Sequence, residues 1–408
     1  MIDIKHLREH PEDYQTSAKL RGLNTDINKI VVLDQDRSKL LTEVEQLRAE
    51  LNVKGKPSPE ELKKLQTTKE KLEGLEKQLE KSQAELDAAL SEVPNLLAPG
   101  TPEGGEEANK EERTWGEAIK KADAKDHLTL AEANGWLDFE GGAKTSGAKF
   151  YFMKRAAVKL EFAVMRLAMD LLEDKGFTLV TVPHLVNGRT ASGTGFMPRG
   201  EEQQLYKIEN EDLYLIATSE MPLTGYHADE ILDPEKLPLL YAGFSPSYRR
   251  EAGAYGKHSK GMYRVHQFDK LEMYLFSAPE DSDEWLQTLV KTEEELFQAL
   301  EIPYRVTRTA AGDMGAPHYQ KYDLEYWSPV DGEFRELTSA SNCTDYQARR
   351  LGIRTRDADG KTRMVHTLNA TALAFSRAFI AILENHQKAD GTVELPEALR
   401  PYYGASHL

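Results

Sequence analysis

The amino-acid sequence predicts an α+β protein, in which an N-terminal antiparallel coiled-coil hairpin precedes a domain with a mostly antiparallel sheet flanked by helices. Two heptad patterns of apolar residues flank a short segment rich in proline and glycine. A second segment rich in proline, glycine and glutamate follows near residue 100. Beyond it, strand-like segments outnumber helix-like ones, which favours an antiparallel sheet over alternating βαβ units.

The heptad patterns predict two helical arms, at about residues 27–54 and 60–93. In both, apolar side chains recur at alternating steps of three and four. The segment NVKGKPSPEE between them contains two prolines and a glycine, which stop a helix and turn the chain. If the hairpin folds symmetrically about this tip, Arg37 lies level with Glu76, and we predict that this polar pair fixes its register.

The heptad pattern alone leaves two functions open for the hairpin. It is either a dimerisation rod or a free-standing arm that reaches a ligand far from the body, since helices of about 30 residues extend for roughly 45 Å. Lys54 and Lys56 at the tip would suit phosphate contacts, as would Lys63 and Lys64 just beyond it. Lysines on a solvated surface are common, so these residues do not decide between the two functions.

The linker divides the chain into an N-terminal domain at residues 1–100 and a second domain at residues 101–408. In the second domain, helical spacing at 158–173 precedes FTLVTVPHLV, whose β-branched residues predict a strand. Further segments are predicted as strands at 213–218, 263–276 and 334–342, and as helices at 284–299 and 370–386.

Composition and charge limit the classes of function. The chain has 408 residues and a formal net charge of −16, which argues against indiscriminate nucleic-acid binding but allows a local basic patch. Its single cysteine, Cys343, excludes an intramolecular disulfide and a cysteine-rich zinc site, so no zinc is expected. The first residues lack the apolar stretch of a signal peptide, and no run of about 18 apolar residues predicts a membrane span. We therefore expect a cytoplasmic protein.

One basic segment stands out in this acidic chain. From Tyr248 to Arg264, five Lys/Arg accompany a single acid, Glu251. Arg249 and Glu251 lie two apart, so on a strand their side chains would share a face. An arginine fork suits a phosphate, and a carboxylate accepts hydrogen bonds from an amine or a hydroxyl. The flanking segments predict a β-hairpin with a basic loop, which on this evidence alone could also be an ordinary charged hairpin.

The common glycine-rich nucleotide motifs do not occur in the sequence. The nearest approach to G-x-x-x-x-G-K-[ST] is Gly256-Lys257, but Glu251 occupies the position of the first glycine, and G-x-G-x-x-G is absent. If the chain binds ATP, another arrangement of residues must hold it.

Taken together, several motifs resemble the class II aminoacyl-tRNA synthetases, and within them the seryl-tRNA synthetases of bacterial type. They are the Arg-x-Glu with its basic loop, ATSE at 217–220, HQFDKLEM at 266–273, LTSASNCTDYQARR at 337–350 and TLNATALAFSR at 367–377. The resemblance covers essentially the full length, including the hairpin and DFEGGAKTSGAKFYFMK at 138–154. It implies a class II catalytic domain at residues 101–408 and a tRNA-binding domain at residues 1–100.

The resemblance also implies roles for individual residues. Among the residues implied in catalysis, Arg249 would bind the α-phosphate of ATP, Glu251 the adenine amino group and Arg377 the γ-phosphate. The full ATP-binding set would be Arg249, Arg250, Glu251, Val265, Phe268, Glu336, Leu337, Thr338, Ser339 and Arg377. The serine-binding set would be Thr218, Ser219, Glu220, Arg249, Glu272 and Thr371. Mg²⁺ would bind with ATP through Glu336 and Ser339.

The implied activity is ATP-dependent serine–tRNA ligation. L-serine and ATP would form seryl-adenylate and pyrophosphate, and serine would then pass to the terminal adenosine of tRNA-Ser, and of selenocysteine tRNA. The hairpin would grip the tRNA across the two subunits of a homodimer whose interface includes the strand ending at Pro183. Lysines implied in tRNA contacts are Lys54, Lys56, Lys257 and Lys260. The alternative is a paralogue that charges a non-tRNA carrier, although such a protein would lack the hairpin.

The third motif departs from the pattern of the family. Many relatives have Gly-Ser-Gly where this chain has Ala370-Thr371-Ala372. Thr371 keeps the hydroxyl, but the two lost glycines bear on how closely the backbone can approach a ligand there.

Overall fold

The structure, a computed structural model, describes residues 2–52, 58–197, 204–251 and 260–408. The chain divides into two compact units, Met1–Leu96 and Leu97–Leu408. Lys54, Lys56 and Lys257, which the sequence analysis assigns to tRNA contacts, lie outside the described residues. Within the described ranges, none of the helices combines the length and the apolar composition needed to cross a membrane.

The first unit is helical, with α1 (Ile4–Glu9), α2 (Pro11–Leu20), α3 (Ile27–Leu51) and α4 (Pro59–Ser91). The Asp26 side chain caps α3 by accepting a hydrogen bond from the amide of Lys29 at 3.0 Å. Ser58 and Glu61 form a capping box at the start of α4, with Pro59 at the first helical position. Contacts between later residues of α3 and earlier residues of α4 make the pair an antiparallel hairpin.

The register of the hairpin differs from the predicted pairing of Arg37 with Glu76. Arg37 donates to Gln83 Oε1 at 3.4 Å, and Glu76 pairs instead with Arg48 at 2.7 Å. The prediction was wrong because it assumed arms of equal length about the tip. Helix α4 has 33 residues and α3 has 25. Beyond the Arg48–Glu76 pair, α3 continues for three residues and α4 for 17, so α4 extends farther toward the tip.

A buried ion cluster lies at the base of the hairpin, and its loss should destabilise the first unit. Asp34 is 1 % exposed, and its carboxylate lies 3.1 Å from Arg37 Nη2 and 3.3 Å from Arg8 Nε. We expect Asp34→Ala to lower the free energy of unfolding by about 2 kcal/mol, because the partly buried Arg37 and the exposed Arg8 would lose their shared counter-ion.

The matched control for Asp34→Ala is Asp36→Ala. Asp36 is exposed and pairs with exposed Lys39 at 2.9 Å, so its loss should change stability by less than about 0.5 kcal/mol. Urea unfolding combined with hydrogen exchange in α3 measures both effects. Equal losses of stability in the two variants would show that the buried cluster contributes no more than an exposed ion pair.

The second unit combines short and long helices with one large sheet. The helices are α5 (His127–Asn134), α6 (Phe139–Ser146), α7 (Ala156–Asp174), α8 (Gly188–Gly193), α9 (Glu220–Tyr226), α10 (Ser282–Ala299), α11 (Tyr346–Leu351), α12 (Phe375–His386) and α13 (Arg400–Tyr403). The first strands are β1 (Lys110–Trp115), β2 (Leu137–Asp138), β3 (Phe152–Met153), β4 (Thr178–Thr181), β5 (Leu185–Asn187), β6 (Leu213–Leu215) and β7 (Leu239–Tyr248). The later strands are β8 (Gln267–Ser277), β9 (Tyr304–Arg308), β10 (Gln320–Ser328), β11 (Glu333–Asn342), β12 (Arg354–Arg356), β13 (Thr362–Met364) and β14 (His366–Ala374).

The large sheet has eight strands in the order β1-β9-β10-β11-β14-β8-β7-β4. Only the β4–β7 pair is parallel among the described strands of this sheet, and every other neighbouring pair is antiparallel. The predicted fold class, a mostly antiparallel sheet flanked by helices, is therefore confirmed. Strands β7 and β8 form the predicted hairpin around the basic segment, with Tyr248 opposite Gln267.

Strand β8 shows how the sheet separates a core from a site. Leu271 and Met273 point into the apolar core that α7, α10 and α12 cover. Lys270, Glu272 and Tyr274 alternate with them and therefore point to the opposite face. All are buried, so this second face of the sheet carries charged groups below the surface of the protein.

Two predicted segments differ from the structure. The segment FTLVTVPHLV forms two strands, β4 and β5, because Pro183 cannot donate to a ladder and separates them. The helix predicted at 370–386 begins only at Phe375, since residues up to Ala374 form strand β14. Pairing with β8 continues to Ala374, whereas pairing with β11 reaches only Ala370, and the ladder with β8 outweighs the helix propensity of these alanines.

Candidate active site

A cavity of about 430 Å³ lies on the charged face of the central strands. Its walls come from β8, β11 and β14, from the chain just after β7, and from the starts of α9 and α12. Thirteen of the predicted ATP- and serine-binding residues line it: Thr218, Glu220, Arg249, Glu251, Val265, Phe268, Glu272, Glu336, Leu337, Thr338, Ser339, Thr371 and Arg377. The structure therefore brings together motifs that are up to 159 residues apart in the chain, from Thr218 to Arg377.

The cavity opens where β11 and β14 separate. Pairing between these strands in the described residues ends at Ala340 and Ala370. Just beyond that point each strand carries an extra residue, Leu337 in β11 and Ala372 in β14, and both produce β-bulges. The bulges redirect the two strands beside the cavity.

One end of the cavity contains a buried carboxylate, Glu220, at the start of α9. Its Oε1 accepts hydrogen bonds from Gln347 Nε2 at 2.7 Å and from Asn369 Nδ2 at 3.1 Å. Burial, followed by the charge of nearby Glu272, raises the pKa of Glu220 to about 7. At neutral pH this carboxyl group is therefore only partly ionised, and a cation placed beside it would favour the ionised form.

A second carboxylate, Glu272 on β8, lies in the same end of the cavity. Its Oε2 forms an ion pair with Lys270 and accepts a hydrogen bond from Thr371 Oγ1 at 3.3 Å. Thr371 is the cross-strand partner of Glu272 in the β14–β8 ladder, so the sheet register itself sets this contact. Burial lowers the pKa of Lys270, although the charge of Glu272 opposes that effect.

The other end of the cavity contains two arginines on separate elements. Arg249 follows β7, donates through Nε to the carbonyl of Ala217 at 3.3 Å, and lies 5.3 Å from the ring centre of Phe268. Arg377, near the start of α12, donates through Nη1 to the carbonyl of Glu336 at 2.8 Å and lies 3.2 Å from its Oε1. Both guanidinium groups are thus held in place before any ligand arrives, as an anion site requires.

Glu251 lies in the cavity wall, but its backbone is not in the predicted strand conformation. Strand β7 ends at Tyr248, so Arg249 and Glu251 do not share the face of a strand, and that part of the prediction was wrong. Glu251 instead has a positive φ of 48°, a conformation uncommon for a non-glycine residue. Arg264 Nη1 holds its Oε2 at 3.2 Å. The turned backbone and this ion pair place the carboxylate in the cavity wall.

Glu336 and Ser339 lie on the cavity side of β11 although they are three residues apart. Strict alternation would place them on opposite faces. Because the bulge at Leu337 adds one residue, Ser339 pairs with Asp323 and Glu336 pairs with Glu325, which lie on one face of β10. The Arg377 guanidinium, with the charge of Lys321 in support, lowers the pKa of Glu336 to about 2. An ionised carboxylate and a hydroxyl therefore lie side by side.

The alanines of the third motif do not narrow the cavity. Ala370 lies in the apolar core and Ala372 is the extra residue of the β14 bulge. Neither is among the residues that line the cavity, whereas Thr371 between them is. The two methyl groups are thus directed away from the space that a ligand would fill.

Comparison with known proteins identifies the family. Residues 1–97 match the seryl-tRNA synthetase N-terminal domain, and residues 205–386 match the tRNA synthetase class II core domain (G, H, P, S and T). The serine–tRNA ligase of Dictyoglomus turgidum is 49 % identical, over 100 % of this chain and 99 % of the relative. The chain belongs to the seryl-tRNA synthetases. The resemblance predicted from the motifs is therefore confirmed.

Solved seryl-tRNA synthetase structures share the fold over the full chain. The enzyme from Pyrococcus horikoshii complexed with ATP has a TM-score of 0.93 at 43 % identity, covering 100 % of this chain and 99 % of the other. The cytoplasmic serine-tRNA ligase from Naegleria fowleri in complex with AMP has a TM-score of 0.88 at 30 % identity, covering 100 % and 98 %.

Three described residues predicted in the seryl-tRNA synthetase site lie away from the cavity lining. The Ser219 hydroxyl is buried and donates to the carbonyl of Gly243 at 3.0 Å. Arg250 is exposed, and the residues that line the cavity do not include it. Lys260 Nζ lies 2.8 Å from Asp126 Oδ2. Ser219 and Lys260 thus make local contacts that the sequence motif does not indicate.

Several polar residues of this synthetase site were not predicted from the sequence, among them Lys270, Asn369 and Gln347. Lys270 precedes Glu272 by two, and Asn369 precedes Thr371 by two, so the period of a strand could have found both. Gln347 lies on α11 and contacts Glu220, 127 residues away. No local pattern in the sequence indicates that contact.

Proposed function

We propose that this seryl-tRNA synthetase activates L-serine with ATP to form seryl-adenylate and pyrophosphate, and transfers serine to the terminal adenosine of tRNA-Ser. The observation that carries the proposal is a single cavity with two buried carboxylates, Glu220 and Glu272, at one end and two anchored arginines, Arg249 and Arg377, at the other. Such a cavity suits an ammonium group and a polyphosphate side by side. The relatives that match over the full chain are serine–tRNA ligases.

At the carboxylate end, the ammonium and hydroxyl groups of serine would meet Glu220, Glu272 and Thr371. Lys270 and Thr371 both contact Oε2 of Glu272, which fixes the orientation of the carboxylate. An oriented carboxylate discriminates against alanine, because a buried group built to hydrogen-bond a hydroxyl is left unpaired when the hydroxyl is missing.

At the arginine end, Arg249 would bind the α-phosphate and Arg377 the γ-phosphate of ATP, while Phe268 and Val265 would contact the base beside Glu251. The serine carboxylate attacks the α-phosphorus and pyrophosphate leaves in line with the attack. Little covalent chemistry is required of the protein, so positioning and charge stabilisation supply most of the rate.

The donors at Glu336 and Ser339 fit Mg²⁺ bound with ATP. Mg²⁺ prefers hard oxygen ligands and usually combines one or two carboxylates with phosphate oxygens and water. The lowered pKa of Glu336 keeps its carboxylate ionised, and the β11 bulge puts the Ser339 hydroxyl on the same face. When bound, the ion would neutralise charge on the phosphate oxygens.

Serine-dependent exchange between pyrophosphate and ATP tests the first step, and aminoacylation of tRNA-Ser tests the second. We expect both reactions with serine, and exchange with alanine about 10⁴-fold lower. Exchange driven by another amino acid, or none with serine, would contradict the proposal. A paralogue that charges a non-tRNA carrier, which finds no support among the relatives, would show exchange without charging tRNA.

Serine binding should weaken in mild acid if Glu220 accepts the serine ammonium. In the free protein its pKa is about 7, so below that pH the group is protonated and must lose its proton before it can pair with a cation. We expect KM for serine to rise by about fivefold to tenfold per pH unit below pH ~7, and to level off above it. In Glu220→Gln the KM should be high and nearly independent of pH between about 6 and 8. A wild-type KM that is flat over this range would exclude Glu220 as the ammonium partner.

The assembly and the tRNA partner form part of the same proposal. Homodimerisation through α7 and β4 is supported by an exposed Phe162 on α7, 68 % accessible, and by the edge position of β4 in the sheet. The hairpin of α3 and α4 would grip the tRNA whose acceptor end enters the partner's cavity, for tRNA-Ser and for selenocysteine tRNA where it exists. A cytoplasmic location agrees with the Naegleria fowleri relative. Sedimentation of the full chain as a monomer would contradict the assembly.

A further inference from the structure

A buried hydrogen-bond chain lies behind the cavity and is not part of the proposed chemistry. His127, the first residue of α5, is 3 % exposed, and Glu384 on α12 is 2 % exposed. His127 Nδ1 lies 3.2 Å from Glu384 Oε1, and the Ser328 hydroxyl donates to Glu384 Oε2 at 2.8 Å. Both oxygens of this buried carboxylate are therefore bound.

The other nitrogen of His127 binds backbone. The amide of Met262 donates to His127 Nε2 at 3.3 Å. Since Nε2 accepts this bond, the ring proton is on Nδ1 and faces Glu384, so the carboxylate determines the tautomer that can accept from Met262. The series of hydrogen bonds thus connects Ser328, Glu384 and His127 to the backbone that precedes β8.

The fit between His127 and this backbone is close. Gly261 has a φ of 63°, and a Cβ at its position would lie 2.2 Å from His127 Nε2. Only glycine allows the backbone both this conformation and this approach. Lys260 adds a second tie to the same helix start, with its Nζ 2.8 Å from Asp126 Oδ2.

The anchored backbone leads directly into the cavity wall. Tyr263, Arg264 and Val265 follow Met262, and all three line the cavity. Tyr263 packs edge-on against the His127 ring at 5.3 Å between ring centres, and its hydroxyl lies 2.5 Å from that of Tyr326. Arg264 in turn holds Glu251 at 3.2 Å. A shift of residues 260–262 would therefore move the part of the wall proposed to meet the nucleotide. The serine end lies on α9, on β14 and within β8, where Glu272 is paired on both sides in the sheet.

We propose that His127, oriented by Glu384, is a positioning residue that fixes residues 260–262 and so places Tyr263, Arg264, Val265 and Glu251 for ATP. This role deepens the proposed function and rests on it. It makes the nucleotide end of the cavity depend on a histidine that never touches a ligand. The serine end, built on Glu220, Glu272 and Thr371, does not depend on this histidine.

Two amide substitutions at His127 distinguish a hydrogen-bonding role of its side chain from a role in packing alone. His127→Gln can place an acceptor near the position of Nε2 and keep the bond to Met262. His127→Asn reaches only the position of Nδ1 and leaves the Met262 amide without an acceptor. In exchange assays of the full chain we expect His127→Asn to raise KM for ATP about tenfold, with KM for serine changed by less than about twofold. His127→Gln should stay within about threefold of the wild type for both substrates.

Gly261→Ala tests the same contact from the other side and does not depend on the folding of the His127 variants. Its Cβ would push the backbone away from Nε2, so the same selective rise in KM for ATP is expected. His386→Gln and His386→Asn are the matched controls, since His386 is a partly buried histidine on the same helix as Glu384, and its Nε2 donates to the carbonyl of Leu300 at 2.8 Å. Neither control should change the ratio of the two KM values.

The positioning role would be overturned by equal KM values for ATP in His127→Asn and His127→Gln, by a parallel rise in both KM values, or by an unchanged KM for ATP in Gly261→Ala. These outcomes concern ratios between variants and wild type. Failure of the proposed function would appear separately, as an absence of serine-dependent exchange in the wild type. In that case calorimetric titration with ATP would still test the positioning role, because it compares the dissociation constants of the same variants for ATP.

Discussion

Arg249→Ala is expected to reduce serine-dependent ATP–pyrophosphate exchange by about 10³-fold. The guanidinium is oriented in advance by the carbonyl of Ala217 and the ring of Phe268, so it can meet the developing charge on the α-phosphate without reorganisation. Since stabilisation of this kind acts in the transition state, most of the loss should appear in kcat. Steady-state exchange kinetics with varied ATP and varied serine separate the two parameters.

The neighbouring arginine is the matched comparison for Arg249→Ala. Arg250 was predicted from the motif to bind ATP, yet its side chain is exposed and lies away from the cavity lining. We expect Arg250→Ala to reduce exchange by less than about fivefold. Comparable losses in the two variants would show that both arginines engage the nucleotide and that the wall moves when ATP binds.

Removing the hairpin should separate the two reactions of the enzyme. If residues 27–93 are replaced by a short flexible linker, aminoacylation is expected to fall by about 10³-fold or more, because the proposed grip on the tRNA is lost. Exchange should remain within about threefold of the intact chain, since the described residues that line the cavity all belong to Leu97–Leu408. Parallel assays of both reactions measure this difference.

The same deletion distinguishes the two functions that the heptad pattern left open. A dimerisation rod predicts that the shortened chain sediments as a monomer, whereas a tRNA-binding arm predicts an unchanged assembly. If exchange fell together with aminoacylation in a folded protein, the catalytic unit would depend on the hairpin, and the assignment of separate tasks to the two parts would be wrong.

Much of the site was predictable because its residues lie in short motifs with local signatures. Glu272, Arg249 and Arg377 were named from sequence, and the structure places all three in one cavity. The contacts among elements were not predictable in this way. Gln347 reaches Glu220 from a different helix, and His127 reaches Met262 across 135 residues, and neither distance leaves a pattern in a single sequence.

The secondary structure was predicted least well where local composition and tertiary pairing conflict. The segment KEERTW forms strand β1, although all six residues are exposed and no alternation marks them. Its pairing with β9 decides its conformation. Residues 370–374 of β14, three of them alanine, were predicted as the start of a helix, but pairing with β8 keeps them in the sheet. The predicted register of the hairpin was wrong for a related reason. The proline- and glycine-rich segment marks where the chain turns, but it does not show that the two helices differ in length.

The separation of β11 from β14 has a consequence for how the site can be mapped. Where two paired strands part, the sheet acquires an internal edge, and main-chain groups there become available to other partners. One of them, the carbonyl of Glu336, accepts a hydrogen bond from Arg377. No change of side chain removes such a group, so alanine scanning would miss this part of the binding surface. Amide-to-ester replacement at Leu337 to Ser339, which at each position deletes one main-chain N–H and weakens the preceding carbonyl as an acceptor, would reveal it.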